Sequence, residues 1–161
     1  MSVEKLWMAP GGLHVEMAQA SDADVIAKLH AQGFYRGWPR EDFAAYIAGR
    51  DTPVYVACDA KRKIAGFAMI RIAADEAELI TIAGDPKWRK KGVGLALMRA
   101  VFQDLLMSPA KRIFLEVAAD NTAALKLYGK IGFSKVAERQ GYYERANGEP
   151  ATAIVMARDL G

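Results

Sequence analysis

The sequence predicts an α/β domain built on a mixed, mostly antiparallel sheet. Three observations predict it. Short apolar runs with a two-residue period are interleaved with stripes at helical spacing. A strand, a helix and a second strand follow one another between residues 79 and 117, the pattern of a right-handed parallel crossover. The chain has 161 residues, 52% of them hydrophobic and 25% charged. Such a length forms one domain and buries roughly 70% of its unfolded surface, enough for a core without staples. The whole chain, 1–161, therefore reads as a single domain, with the fold itself covering about residues 13–158.

Each element has a local reason. Leu13, Val15 and Met17 alternate as in a half-buried strand. Ser21 is placed to cap a helix whose stripe is Val25, Ile26, Leu29 and His30, with Asp22 and Asp24 in its first turn. An aromatic connection, residues 34–38, leads to Pro39, which suits the start of a second helix carrying Phe43, Ala44 and Ile47 inward. Residues 54–58 and 64–73 read as strands joined by a polar turn at 59–63. A third strand, 79–83, follows a bend at Asp75-Glu76. Gly84-Asp85-Pro86 ends it. Val93, Leu97, Ala100, Val101 and Leu105 then form a helical stripe. Residues 113–117 make a short buried strand, and 121–130 a helix ended by Gly132. Two strands, near 135–139 and 151–157, close the chain through Gly141-Tyr142-Tyr143 and a turn at Asn147-Gly148. The predicted order is β-α-α-β-β-β-α-β-α-β-β.

Composition excludes several function classes. The longest uncharged run, residues 6–15, holds Pro10, Gly11 and Gly12 and is far short of the roughly 20 apolar residues of a membrane span. It also lacks the basic start of an export signal, so the cytoplasm is the expected compartment. A single cysteine, Cys58, permits neither an internal disulfide nor a cysteine-based zinc site, and no metal is expected. Twenty-two Lys and Arg against nineteen Asp and Glu give +3. Lys87, Arg89, Lys90 and Lys91 fall within five residues. Without them the count is 18 against 19. The basic excess is one short segment, too small for a nucleic-acid surface.

That segment, Arg89-Lys90-Lys91-Gly92-Val93-Gly94, sits where a strand gives way to a helix. A helix start offers free backbone N–H groups and partial positive charge. Glycines let phosphate oxygens approach them. It is not a P-loop, because no Ser or Thr follows. It lacks the third glycine of a dinucleotide fingerprint. The pattern Arg-x-x-Gly-x-Gly instead resembles the acetyl-CoA site of the GCN5-related N-acetyltransferase superfamily (GNAT), together with Ile82-Ala83-Gly84 before it and Leu95 after it. A second set resembles the ribosomal-protein-alanine N-acetyltransferase branch. It comprises Leu115-Glu116-Val117, Asn121, Ala124, Leu125, Tyr128, Gly132-Phe133, Arg139 and Tyr142-Tyr143, with His30, Phe34, Trp38, Glu41 and Phe43 earlier. About 130 residues are covered. Gly84 replaces the usual valine, and Gly129 an acid in the helix.

The resemblance implies a GNAT fold and acetyl-CoA as co-substrate, with Ile82, Ala83, Gly84, Arg89, Lys90, Lys91, Gly92, Val93, Gly94, Leu95 and Asn121 on it. It implies Glu116 as general base and Tyr128 as general acid. It places Phe34, Trp38, Tyr142 and Tyr143 towards the acceptor. Read from the residues alone, Glu116 could equally be a strand-end carboxylate in a salt bridge. Tyr128 could be a core tyrosine, and Asn121 a helix cap. The tyrosine pair could pack in a hairpin, and Glu78 could serve as a reserve base. Cys58 reads as a packed thiol.

The resemblance further implies a protein N-terminus as acceptor, in particular the N-terminal alanine of a small-subunit ribosomal protein. An α-amine titrates about 2.5 units below lysine, so a lysine acceptor costs roughly 3.4 kcal/mol more to deprotonate. A small amine, a lysine side chain and a non-catalytic acetyl-CoA-binding module are the alternatives.

Overall fold

The computed structural model describes residues 5–34, 36–143 and 151–161, and the side chains of Tyr142 and Tyr143 are outside that description. The strands are β1 (Leu6–Met8), β2 (His14–Met17), β3 (Val54–Cys58), β4 (Ile64–Ala73), β5 (Glu76–Gly84), β6 (Arg112–Ala118), β7 (Ser134–Tyr143) and β8 (Ala151–Asp159). The helices are α1 (Ala23–Gly33), α2 (Arg40–Ala48), α3 (Val93–Leu105) and α4 (Thr122–Lys130). The strands form one sheet in the order β1-β2-β3-β4-β5-β6-β8-β7, in which only β5 and β6 pair in parallel. The mixed sheet and its crossover are as the sequence predicts. The turn at Asn147-Gly148 lies outside the described residues.

Helices cover both faces of the sheet. Ile26 and Leu29 of α1 and Phe43 of α2 pack on Val54, Val56, Phe67 and Met69. Leu97, Val101 and Leu105 of α3 pack on the opposite face against Val15, Tyr55, Ile70 and Leu115. Sandwiching explains why every residue of β3 is buried: its alternate side chains enter two different cores.

Several details differ from the expectation. Residues 6–8 form a strand, because pairing with β2 supplies the hydrogen bonds their short run cannot specify alone. Ser21 lies within a short 3-10 turn, Ala20–Asp22. Asp22 is the residue that bonds, its carboxylate accepting from the Gln19 N–H at 2.7 Å. Val25 is exposed, so the buried stripe of α1 is Ala23, Ile26, Leu29 and His30. β5 starts three residues early, which puts Glu78 inside the strand rather than before it.

Two irregularities shape the site. β5 carries one extra residue, Ile80, where Met69 pairs with Thr81 and Ile70 with Leu79. Such a bulge bends a strand and re-aims its side chains. The β5–β6 pairing then stops at Glu78↔Phe114. Beyond that point β5 is bonded only to β4, and β6 only to β8.

Candidate active site

The gap between the two strands opens into a cavity of about 430 Å³. Residues 79–82 form one wall and residues 116–118 the other, with Tyr128 of α4 and His30, Phe34 and Trp38 closing the ends. Along the gap β5 has a free edge, so alternate backbone N–H and C=O groups project towards the cavity instead of into a ladder. Ile82, Ala83 and Gly84 belong to this edge.

Glu116 projects from β6 on the face opposite Leu115 and Val117, which enter the α3 core. Its side chain is 22% exposed, and its Oε1 lies 3.2 Å from Arg139 Nη1. The salt bridge admitted by the sequence is therefore present, and it leaves Glu116 on the cavity wall. Glu116 also borders a neighbouring cavity of about 270 Å³ that holds Arg139, Glu78 and Arg71 but not Tyr128. Glu78 thus stands on the far side of Glu116 from the phenol.

Tyr128 is buried against Phe133 in an edge-to-face contact with ring centroids 5.7 Å apart. Burial pushes its phenol up to about 12. It is therefore protonated at neutral pH and can act as a proton donor. Asn121 borders the same cavity while its Oδ1 accepts the Ala124 N–H at 3.2 Å. It caps α4, and the cap leaves its NH₂ available.

The glycine-rich segment forms an open helix start. α3 has Gly92 as its N-cap at φ +84°, no side-chain cap and no acid in its first turn. Lys90 is also left-handed, at φ +62°. Arg89, Lys90 and Lys91 are exposed around it. The first N–H groups of a helix have no intrahelical acceptor, and the first turn of α3 carries no acid to compete for them. A Cβ on Gly94 would sit 3.6 Å from Leu127, an ordinary contact, so packing within the protein does not demand glycine there. A polyanionic ligand fits this donor set.

Some lining residues were missed from sequence. His30 is 1% exposed, stacks on Phe34 at 4.3 Å and accepts the Trp38 N–H on Nδ1 at 3.2 Å. Burial lowers its pKa, so the ring is neutral and organises the aromatic loop. The spacing of His30 and Phe34, one helical turn apart, was the available signal. Thr81 is 5% exposed, and nothing among the described residues hydrogen-bonds its Oγ1. Arg36 also borders the cavity. Phe34 and Trp38 line the cavity. The backbones of Tyr142 and Tyr143 end β7, and a substrate-facing role for their side chains falls outside the described residues.

Cys58 is a packed thiol, raised to about 11 by burial first and by nearby carboxylates. Its Sγ, the His14 ring and the Glu16 carboxylate have atoms within 4.8 Å of one another. Glu16 is already engaged there by Arg62, which also grips Asp22 at 2.7 and 2.9 Å. No described helix is long and apolar enough to cross a membrane.

The acetyltransferase (GNAT) family model matches residues 23–133. The ribosomal protein bS18-alanine N-acetyltransferase of Escherichia coli (strain K12) is 38% identical over 95 residues, 59% of this chain and 64% of that protein. The chain thus matches less than two thirds of that relative's length. The N-alpha-acetyltransferase RimI of Mycobacterium tuberculosis is 35% identical over 147 residues, 88% of this chain and 89% of that protein. The crystal structure of the ribosomal-protein-S18-alanine N-acetyltransferase from Escherichia coli superposes with a TM-score of 0.85 at 27% identity, covering 92% of this chain and 94% of that one. Arabidopsis thaliana NAA60 in complex with acetyl-CoA shares the fold, with a TM-score of 0.81 at 20% identity over 91% of this chain and 98% of that one.

Proposed function

This chain belongs to the acetyltransferase (GNAT) family, and from that premise we propose that it transfers acetyl from acetyl-CoA to the α-amine of a protein N-terminus. The proposed acceptor is the N-terminal alanine of a ribosomal protein. One observation carries the reading. Glu116 and Tyr128 both line the cavity that the parting of β5 and β6 creates.

Acetyl-CoA supplies the acetyl group as an activated thioester. The chain's own groups do the rest. Arg89, Lys90, Lys91 and the N–H groups at Gly92, Val93, Gly94 and Leu95 hold the phosphates. Residues 82–84 present the free edge of β5 to the extended arm and an N–H to the negative charge that develops on the carbonyl oxygen. Asn121 offers its NH₂ group to the same ligand. Glu116 takes the proton that the attacking amine loses, directly or through water, as the new C–N bond forms. As the C–S bond breaks, Tyr128 gives its phenolic proton to the departing sulfur. Bulk solvent then reprotonates Tyr128 and receives the proton from Glu116. Every transferred atom has a destination, and no covalent enzyme intermediate is required.

The acceptor enters past Phe34 and Trp38. The names of two relatives, one specific for a ribosomal-protein alanine and one for an α-amine, support a protein N-terminus. The lower basicity of an α-amine supports it physically, since a single partly hydrated carboxylate meets the demand. Thermal melting with added ligand tests the co-substrate. Acetyl-CoA raises the melting temperature, and NAD and ATP at equal concentration do not. Stabilisation by NAD or ATP but not by acetyl-CoA would remove the assignment.

A further inference from the structure

The amino-terminal hairpin touches the phosphate segment, a contact no sequence motif announces. The turn between β1 and β2 is Pro10-Gly11-Gly12, closed by Leu13 N–H to Pro10 O at 3.4 Å and Ala9 N–H to Leu13 O at 3.2 Å. Gly11 is left-handed at φ +72°, and a Cβ there would come 3.1 Å from Trp88 Cζ3. Pro10 Cγ would lie 3.3 Å from a Cβ on Gly92. The turn therefore rests on both the indole that precedes the basic segment and the N-cap of α3.

Trp88 passes this contact on. Lys91 Nζ lies 5.4 Å from the centre of its ring, within cation–π range, and the Lys91 N–H donates to Trp88 O at 3.2 Å. At the other end of the strand, Lys5 Nζ bonds Asp104 Oδ1 at 2.7 Å, near the C-terminus of α3. A carboxylate there opposes the helix dipole, and it is held by Lys5 and by the Tyr55 hydroxyl at 2.5 Å. The lengths agree. Five extended steps from Lys5 to Pro10 span about 17 Å, and twelve helical steps from Gly92 to Asp104 about 18 Å. The amino-terminal strand spans α3 from end to end.

We propose that this strand and its turn are a brace for the phosphate cradle, and that Trp88 and Pro10 are positioning residues for it. Pro10 backs the left-handed Gly92, and the Trp88 ring fixes the Lys91 ammonium. Neither residue lines the cavity that holds Glu116 and Tyr128. The brace rests on the assignment of the cradle to acetyl-CoA and concerns the affinity for its phosphates alone.

Calorimetric titration of the full chain with CoA and with pantetheine, which lacks the phosphates, tests it without reference to turnover. The wild type binds CoA more tightly than pantetheine. Trp88→Ala weakens CoA binding about tenfold and leaves pantetheine binding unchanged. Pro10→Ala acts in the same direction, and Trp88→Phe, which keeps a ring, retains most of the affinity. Unchanged pantetheine binding also shows that a variant is folded. CoA affinities equal to wild type in both Trp88→Ala and Pro10→Ala would overturn the brace. Equal affinity of the wild type for CoA and pantetheine would instead overturn the cradle beneath it.

Discussion

The Arg139 guanidinium lies 3.2 Å from one oxygen of Glu116, reaching it from the cavity that Tyr128 does not border. The pair holds the carboxylate on the cavity wall. Oε1 lies against the arginine, and in the proposed mechanism the carboxylate also takes the proton of the attacking amine. Glu116→Gln keeps the shape and the contact but removes the proposed base. Turnover falls by about a hundredfold or more, while the dissociation constant for acetyl-CoA stays near wild type. Steady-state rates beside calorimetric binding separate the two effects, and unchanged turnover would move the base elsewhere.

Tyr128 packs its ring on Phe133, and in the proposed mechanism it also supplies a proton. Tyr128→Phe keeps the contact with Phe133 and removes the hydroxyl. The rate of CoA release falls by about tenfold or more, with the melting temperature little altered. A wild-type rate would reduce Tyr128 to a packing residue.

The hydroxyl of Thr81 is buried without a partner among the described residues. Removing such a group is neutral or stabilising, by up to about 1 kcal/mol. Thr81→Val therefore melts at or above the wild-type temperature. A clear loss of stability would reveal a bond to the hydroxyl in the folded protein.

His30 is buried, and burial lowers its pKa from the ordinary 6.5. In the unfolded chain the ring takes a proton as the pH falls through 6.5, whereas in the fold it does so only at lower pH. The unfolded state binds more protons in that window, so stability is complete above pH 6.5, declines as the pH falls through the window and levels off below the folded pKa. Denaturant melts at a series of pH values show this slope in the wild type and a shallower one in His30→Gln. Equal slopes would show that the ring does not titrate on unfolding.

Much of this was legible because it is local. The helical stripe of α3, the turn after β3 and the glycine-basic segment each lie within a few consecutive residues, and each reads as the structure shows it. The remainder depends on partners distant in sequence. Residues 6–8 become a strand only through β2. Thr81 reads as one polar residue in an apolar strand, and it reaches the cavity wall because Ile80 bulges and β6 departs. His30 fits a core stripe, and although its spacing from Phe34 hints at a shared face, its bond to the Trp38 N–H forms only when the loop folds back. The Arg139–Glu116 pair joins two strands separated in the sheet by β8. Ser21 misled because the 3-10 turn Ala20–Asp22 precedes α1 and takes Ser21 into its middle, while Asp22 bonds back to the Gln19 N–H.

The central claim is transfer of acetyl to an α-amine. A peptide with a free N-terminal alanine and an internal lysine, incubated with acetyl-CoA and the enzyme, tests it in one measurement. Fragment mass spectrometry locates the added acetyl group. The account predicts the acetyl group on the alanine nitrogen, with the lysine unmodified and no product when the N-terminus is blocked. Acetylation of the lysine with the α-amine left free would contradict it.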